Sequence, residues 1–465
     1  MATSDSAGLI TSTDDPLSLQ GFENAIASLF RGDGNVLPPI ERAVGRDPAF
    51  ALGHCLRVAA LVLGHAGMPE ASLRTPLAAI ERSAVANDRE RRHAAAARSW
   101  LDGNVARANK LYGRILHDYP RDRLALLVAH ALDFRLGRRD MLRGRIARVL
   151  PHWDESDPEY GYLLGLQAFG LEETGSYDRA LASARRSLEL VPDNVGAIHV
   201  IAHILEMRGP PDKGIAWLRE TQPIWAGHAG LRVHLAWHLA LFQLDADAAR
   251  DALATYDELI APQLDAGHGG LVDASALLWR LQLCGTGLKR RWRAVTDLWM
   301  RRRTIVDRAF DLVHAVMALA SSKQHGRARR LAKRLSNDAM LRARSGNDEL
   351  ALAGPLTAAI LSFSRGDYDS TVQSISAIRS AADRCGGSVA QCDLIHLTIL
   401  EAALRGRRGS LARVLAAERI ARKPGSRLNR WLTARARTLS RLDWRHVRWT
   451  RRAASAGPQL GPRAA

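Results

Sequence analysis

The sequence predicts an all-α protein, a superhelix of tetratricopeptide-like helix hairpins, and three observations carry that expectation. Apolar residues recur at helical spacing along most of the 465 residues. Long alternating β-branched runs are scarce, and only 18 prolines interrupt the chain. One proline-marked segment also returns at a fixed interval. It reads RDPAFALGHCLRVAALVLG from Arg46, DYPRDRLALLVAHALDFRLG from Asp118 and LVPDNVGAIHVIAHILEMRG from Leu190, so Pro48, Pro120 and Pro192 stand 72 residues apart.

Half of that interval is close to the tetratricopeptide period of about 34 residues, so each step reads as two helix hairpins. The first 20 residues, beginning MATSDSAGLITSTDDP, are expected to be a flexible N-terminus, and residues 21–452 one continuous repeat domain. The clearest repeat runs from Tyr160 to Pro192. Tyr177 and Ala180 in GSYDRAL supply its turn aromatic and its close-packing small residue. Pro192 follows Ala180 by twelve residues, as Pro120 follows Ala108. A proline suits that turn because it cannot continue a helix. APQLDAGHGG (261–270) predicts a glycine-rich break, followed by the helix LVDASALLWRLQL. Further hairpins are expected over 308–335, around GDYDSTV, and last over HLTILEAALRGRRGSLARVLAAERIARKP, with a polar loop or short helix end over 336–349. Residues 453–465 lack periodicity and are expected to be a disordered tail.

The formal charge of +18 is uneven: residues 281–465 hold 36 Lys and Arg against 13 Asp and Glu, so the domain turns basic from about 281. A basic half can attract nucleic acid. No nucleic-acid-binding motif accompanies it, and Trp292 and Trp299, seven residues apart among arginines, read as one core-facing helix stripe. Nucleic acid is therefore not an expected partner. Cys55, Cys284, Cys385 and Cys392 form no CxxC pair, which suits a reducing compartment. With no signal peptide and no span of 18 apolar residues, a cytoplasmic location is expected.

Three histidine-bearing stretches stand out. AIHVIAHILEMRG carries His199, His203 and Glu206 on one helix face, VHLAWHLALF carries His234, Trp237 and His238, and LLVAHALDF carries His130 and Asp133. His199, His203 and Glu206 with His234 or His238 form a candidate metal set, His238 first, since imidazole and carboxylate suit zinc or iron. The order is neither HExxH nor the Glu-x-x-His of di-iron bundles. The same groups admit acid–base chemistry, with Glu206, His203 and His238 as candidate catalytic residues and His130, Asp133, Tyr160 and Glu172 lining one groove. Any single histidine also has a plainer reading as a satisfied core residue. Ser388 and the GHGG at 267–270 lack the frames of a nucleophile or a phosphate loop and read as turns.

The stretch from Leu124 to Tyr256 resembles the tetratricopeptide-repeat protein 38 family. The likeness rests on AHALDF, RVLPHW, YGYLLGLQAFGLEETGSY, AIHVIAHILEMRG, GIAWL and HLAWHLALF. It continues more weakly through DASALLWRL, FDLVHAVMAL (with His314), CGGSVAQCD and LNRWLTARA. The resemblance implies the helical-repeat fold and no settled activity. The chain departs from the family at Val389 and Cys392, where polar side chains are usual, and at Leu312, where an acid is usual.

The leading functional expectation is a repeat protein that holds a peptide, a protein partner or a small polar ligand in a concave groove. That groove would be lined by His130, Asp133, Tyr160, Glu172, His199, His203, Glu206, His234, Trp237, His238 and His314. The alternative is an enzyme using the same cluster, with or without a metal. No cofactor is the first expectation, and a transition metal the second.

Overall fold

A computed structural model describes residues 3–34, 36–64, 71–82, 85–266, 268–301, 308–337, 347–384 and 386–439. The expected tail over 453–465 and Cys385 lie outside the described residues, as does most of the expected loop at 336–349. The described chain is all-α apart from one short strand pair. Successive helix pairs include Asp88–Leu101 with Val105–Asp118, Arg123–Arg135 with Arg139–Val149, Tyr160–Glu173 with Tyr177–Leu190, and Val195–Arg208 with Pro211–Glu220. Later ones include Arg232–Asp245 with Ala249–Thr255, His268–Leu283 with Lys289–Arg301, Ala309–Ser321 with His325–Asn337, and Val389–Arg405 with Gly409–Arg422.

The repeated proline has a clear local consequence. Two residues after Pro120 and Pro192, Asp122 and Asn194 cap the next helix, accepting from the amides of Ala125 and Ala197. The turn inside most pairs holds a left-handed residue, which Gly103, Gly137 and Gly175 supply; Asp247, Lys323 and Arg407 take the same conformation at φ 65°, 61° and 57°, while the Gly209–Pro210 turn does without one. Tyr160–Glu173 and Tyr177–Leu190 form the hairpin read from the sequence, with Ala180 wholly buried between them. Trp292 and Trp299 are buried on one face of Lys289–Arg301. Among the described residues no helix is long and apolar enough to cross a membrane.

Three local expectations are corrected. Residues 3–15 are not a loose N-terminus: Thr3–Ser4 pairs antiparallel with Ile10–Thr11, and the first helix starts at Pro16. Buried Asp5 pairs with buried Arg89 at 3.1 Å, and the Ser12 amide donates to Glu90 at 2.8 Å, so charge pins a segment whose apolar content is low. The 261–270 stretch does not break the chain into a loop, because helical turns continue through 256–266 and a helix resumes at His268. Nor is the C-terminal hairpin the last element, since Arg427–Thr438 comes after it, capped by Ser426.

The leading helices of successive pairs, 160–173, 195–208, 232–245 and 268–283, lie side by side. The C-terminal pair folds back across them. A Cβ on Gly425 would come within 2.7 Å of the Gly209 carbonyl oxygen, so glycine lets the 423–426 turn sit directly on the end of the 195–208 helix. Ser426 Oγ donates to Asp245 at 2.7 Å and Arg280 to the Ala390 carbonyl at 2.9 Å, which fixes the return.

Candidate metal centre

Helical spacing puts His199, His203 and Glu206 on one face of the 195–208 helix, and His234 and His238 on one face of the 232–245 helix. These faces meet. His203 Nε2 lies 3.1 Å from His238 Nε2, which lies 3.2 Å from His234 Nε2. His199 packs beside all three, with ring centroids 4.3 Å from His203, 4.8 Å from His234 and 5.2 Å from His238. One nitrogen from each of the four histidines falls within 4.8 Å of the others.

Behind three of the imidazoles stands a carboxylate. His203 Nδ1 bonds Glu172 at 3.0 Å, His238 Nδ1 bonds Glu206 at 3.0 Å, and His234 Nδ1 bonds Asp273 at 2.8 Å. A carboxylate oxygen accepts, so each Nδ1 carries the proton and donates. That fixes the tautomer, leaving the Nε2 lone pairs of three rings pointing at one another. Among the described residues the buried His199 Nε2 has no hydrogen-bond partner. Converging lone pairs in a buried site repel unless a proton or a metal ion lies between them.

The carboxylates are themselves supported. Lys423 Nζ reaches Glu206 Oε1 at 2.6 Å. Burial alone would push the Glu206 carboxyl up, yet Lys423 and His238 hold it well below the usual range. Burial likewise opposes the Lys423 charge, but Glu206, Asp245 and Asp393 raise its pKa. Gln391 donates to Asp273 at 3.1 Å. Glu173 takes Arg139 at 3.0 Å and the Val389 amide at 3.4 Å, and burial with the neighbouring Glu172 pushes it up to about 7. Glycine again permits the placement. A Cβ on Gly170 would meet the Arg143 backbone at 2.7 Å, so the last turn of the 160–173 helix, which carries Glu172, seats closely on the preceding helix.

Without a metal the centre holds one proton best. Burial lowers all three shifted imidazoles; at His203 the Glu172 carboxylate more than offsets this and raises the pKa to about 9, while His238 falls to about 3 and His199 well below its ordinary value. Trp237 stacks on His234 at 5.2 Å and 16°, walling one side.

Several sequence-derived assignments change. Glu206 is not in the candidate ligand set: it orients His238, and His234 and His238, read from the sequence as alternatives, both supply a nitrogen. Asp133 faces away, bound to Arg145 on the second helix of its own pair and to Asn109 on the preceding pair. Tyr160 begins the helix that Glu172 nearly ends, about 18 Å away at 1.5 Å per residue. His130 touches the Phe169 ring beside the centre, at 6.1 Å, and among the described residues its two buried nitrogens have no partner. His314 bonds its own helix at the Phe310 carbonyl, 2.8 Å away. The cluster does not line an open groove, because His203, His238, Glu172 and Glu206 are buried; His234 is the most open ligand, its side chain 16% exposed.

Sequence reasoning missed Glu173, Asp273, Gln391 and Lys423. Asp273 had a signal, a lone acid in the apolar run LVDASALLWRL. Lys423 had none, lying 217 residues from its partner. Of the departures from the family pattern, Val389 offers its amide to Glu173, buried Cys392 donates to the Gly386 carbonyl at 3.2 Å, and Leu312 is wholly buried.

No family model matches the sequence. Among solved structures the chain is similar to yeast Tom70, at 11% identity and a TM-score of 0.33, over 91% of this chain and 88% of that one.

Proposed function

We propose that this protein is a helical-repeat metalloprotein whose four histidines, His199, His203, His234 and His238, bind one divalent transition ion. The observation that carries this is the set of three Nε2 lone pairs turned inward by three carboxylates. Carboxylate–histidine–metal triads are the usual support of such ligands. For metal–nitrogen bonds of about 2.0–2.1 Å, the edge of a tetrahedron is about 3.3–3.4 Å. The observed 3.1 and 3.2 Å separations fit that edge. Four imidazoles without a thiolate suit zinc first and iron second.

On the same motifs we propose that the chain is a divergent member of the tetratricopeptide-repeat protein 38 family, since AHILEM and HLAWHLALF supply three of the ligands.

Among the described residues no carboxylate bonds His199, and its buried Nε2 has no partner. This favours a second role for the ion, catalysis at the fourth position once His199 yields it, because three fixed histidines and an exchangeable site activate bound water.

Elemental analysis of dialysed protein tests the reading. One equivalent of zinc or iron per chain, lost in His238→Ala, supports it. Substoichiometric metal that is equal in wild type and His238→Ala refutes it.

A further inference from the structure

Away from the histidine centre, a groove of about 1310 Å³ runs between the Val105–Asp118 and Arg139–Val149 helices. Its rim is cationic: Arg107, Lys110, Arg114 and Arg148 are exposed and make no ion pair among the described residues. The one acid on the wall, Asp118, is already paired with Arg92. Four unneutralised cations around a concave wall focus positive potential. This occurs in the half of the chain whose net charge is negative, so composition gives no hint of it.

The floor is built rather than incidental. Arg145 is 3% exposed, and its Nε and one terminal nitrogen are bound by Asp133 at 2.5 and 2.9 Å. Its other terminal nitrogen, Nη1, lies beside Gly113, where a Cβ would come within 2.7 Å of it. Those bonds leave Nη1 over, on a guanidinium that cannot turn away. Apolar side chains stand between the charges, with half-buried Leu111 and 37% exposed Met141 accessible above the buried Leu116 and Val149.

We propose that this groove binds an acidic, leucine-bearing peptide segment of a partner protein. Arginine clusters recognise carboxylates by charge-assisted bonds, and the aliphatic walls take the apolar side chains between them. The 14-residue Val105–Asp118 helix is about 21 Å long, which matches about six residues of extended chain. Among the described residues no Phe, Tyr or Trp lines the groove, and His117 and His152 are its only aromatic rings. With aliphatic side chains between the cations, a peptide is favoured over a single-stranded nucleic acid.

The test is fluorescence anisotropy of the full chain with a labelled peptide of alternating glutamate and leucine. The comparison is between the triple variant Arg107→Glu/Lys110→Glu/Arg114→Glu and a control of equal charge on the His325–Asn337 helix, Arg327→Glu/Arg329→Glu/Arg330→Glu. All six residues are exposed, and melting curves confirm that both variants fold. The expected result is salt-sensitive binding that the groove triple weakens at least about tenfold and the control leaves within about twofold. Equal losses in the two triples, no binding by wild type, or tighter binding of a single-stranded oligonucleotide that competes with the peptide each overturn it. None of these outcomes bears on the metal centre.

Discussion

The Nε2 atoms of His203 and His238 face each other at 3.1 Å while each ring's Nδ1 is held by a different glutamate, Glu172 and Glu206. Two neutral imidazoles so held have no proton to share between them. Either a proton is added, which His203 accepts, or a metal ion takes its place. The behaviour of the centre turns on that choice.

The ligands should separate by their support. His203→Ala, His234→Ala and His238→Ala should abolish metal binding, whereas His199→Ala should retain a weaker site. Glu172→Gln and Asp273→Asn should lower affinity by about 10–100-fold while keeping the stoichiometry. Isothermal titration with zinc checks each, and equal loss in all four histidine variants contradicts the unequal support.

Metal binding should depend on pH in a stated direction. The metal-free His203 pKa is raised from 6.5 to about 9, because Glu172 outweighs burial. Binding near neutral pH therefore displaces a proton, and affinity should rise about tenfold per pH unit until about pH 9. A raised folded-state pKa stabilises the protonated form, so the metal-free protein should be most stabilised by this group below about pH 6.5. That contribution should be lost as pH rises through about 9, and bound metal should remove the dependence. Melting curves with and without chelator across this window measure both.

Lys423 ties the C-terminal hairpin to the centre through Glu206. Breaking one side of a buried ion pair costs about 3–5 kcal/mol, so Lys423→Met should destabilise by that order in denaturant titration. Lys423→Met/Glu206→Gln should recover part of the loss, since the second change removes the unpaired charge. Glu206 is thus fully bonded, and Glu206→Gln alone should also lower stability.

Ala180 tests the repeat itself. It is wholly buried between the two helices of the 160–190 hairpin, so Ala180→Leu should overpack the contact and cost about 1–3 kcal/mol. An unchanged denaturation midpoint contradicts the close packing.

Much of the fold was legible because its signals are local. Pro120 and Pro192 mark turns, Asp122 and Asn194 cap the helices after them, and helical spacing alone puts His199 beside His203. The same spacing misled at Asp133 and Tyr160, because sharing a helix with a site residue says nothing about which neighbour a side chain faces. Asp133 is drawn off by Arg145, twelve residues later. Lys423 was illegible because it arrives only when the chain folds back through Gly425. The N-terminal strand pair was illegible for the same reason, since its hold is Arg89, 84 residues from Asp5.

The most direct measurement is the X-ray absorption spectrum of zinc-loaded protein at the metal edge. The four-histidine centre predicts a first shell of four nitrogens at about 2.0 Å with the outer-shell scattering of imidazole rings, reduced to three rings in His199→Ala. A first shell of oxygen without imidazole scattering, or a spectrum unchanged in His234→Ala and His238→Ala, would contradict it.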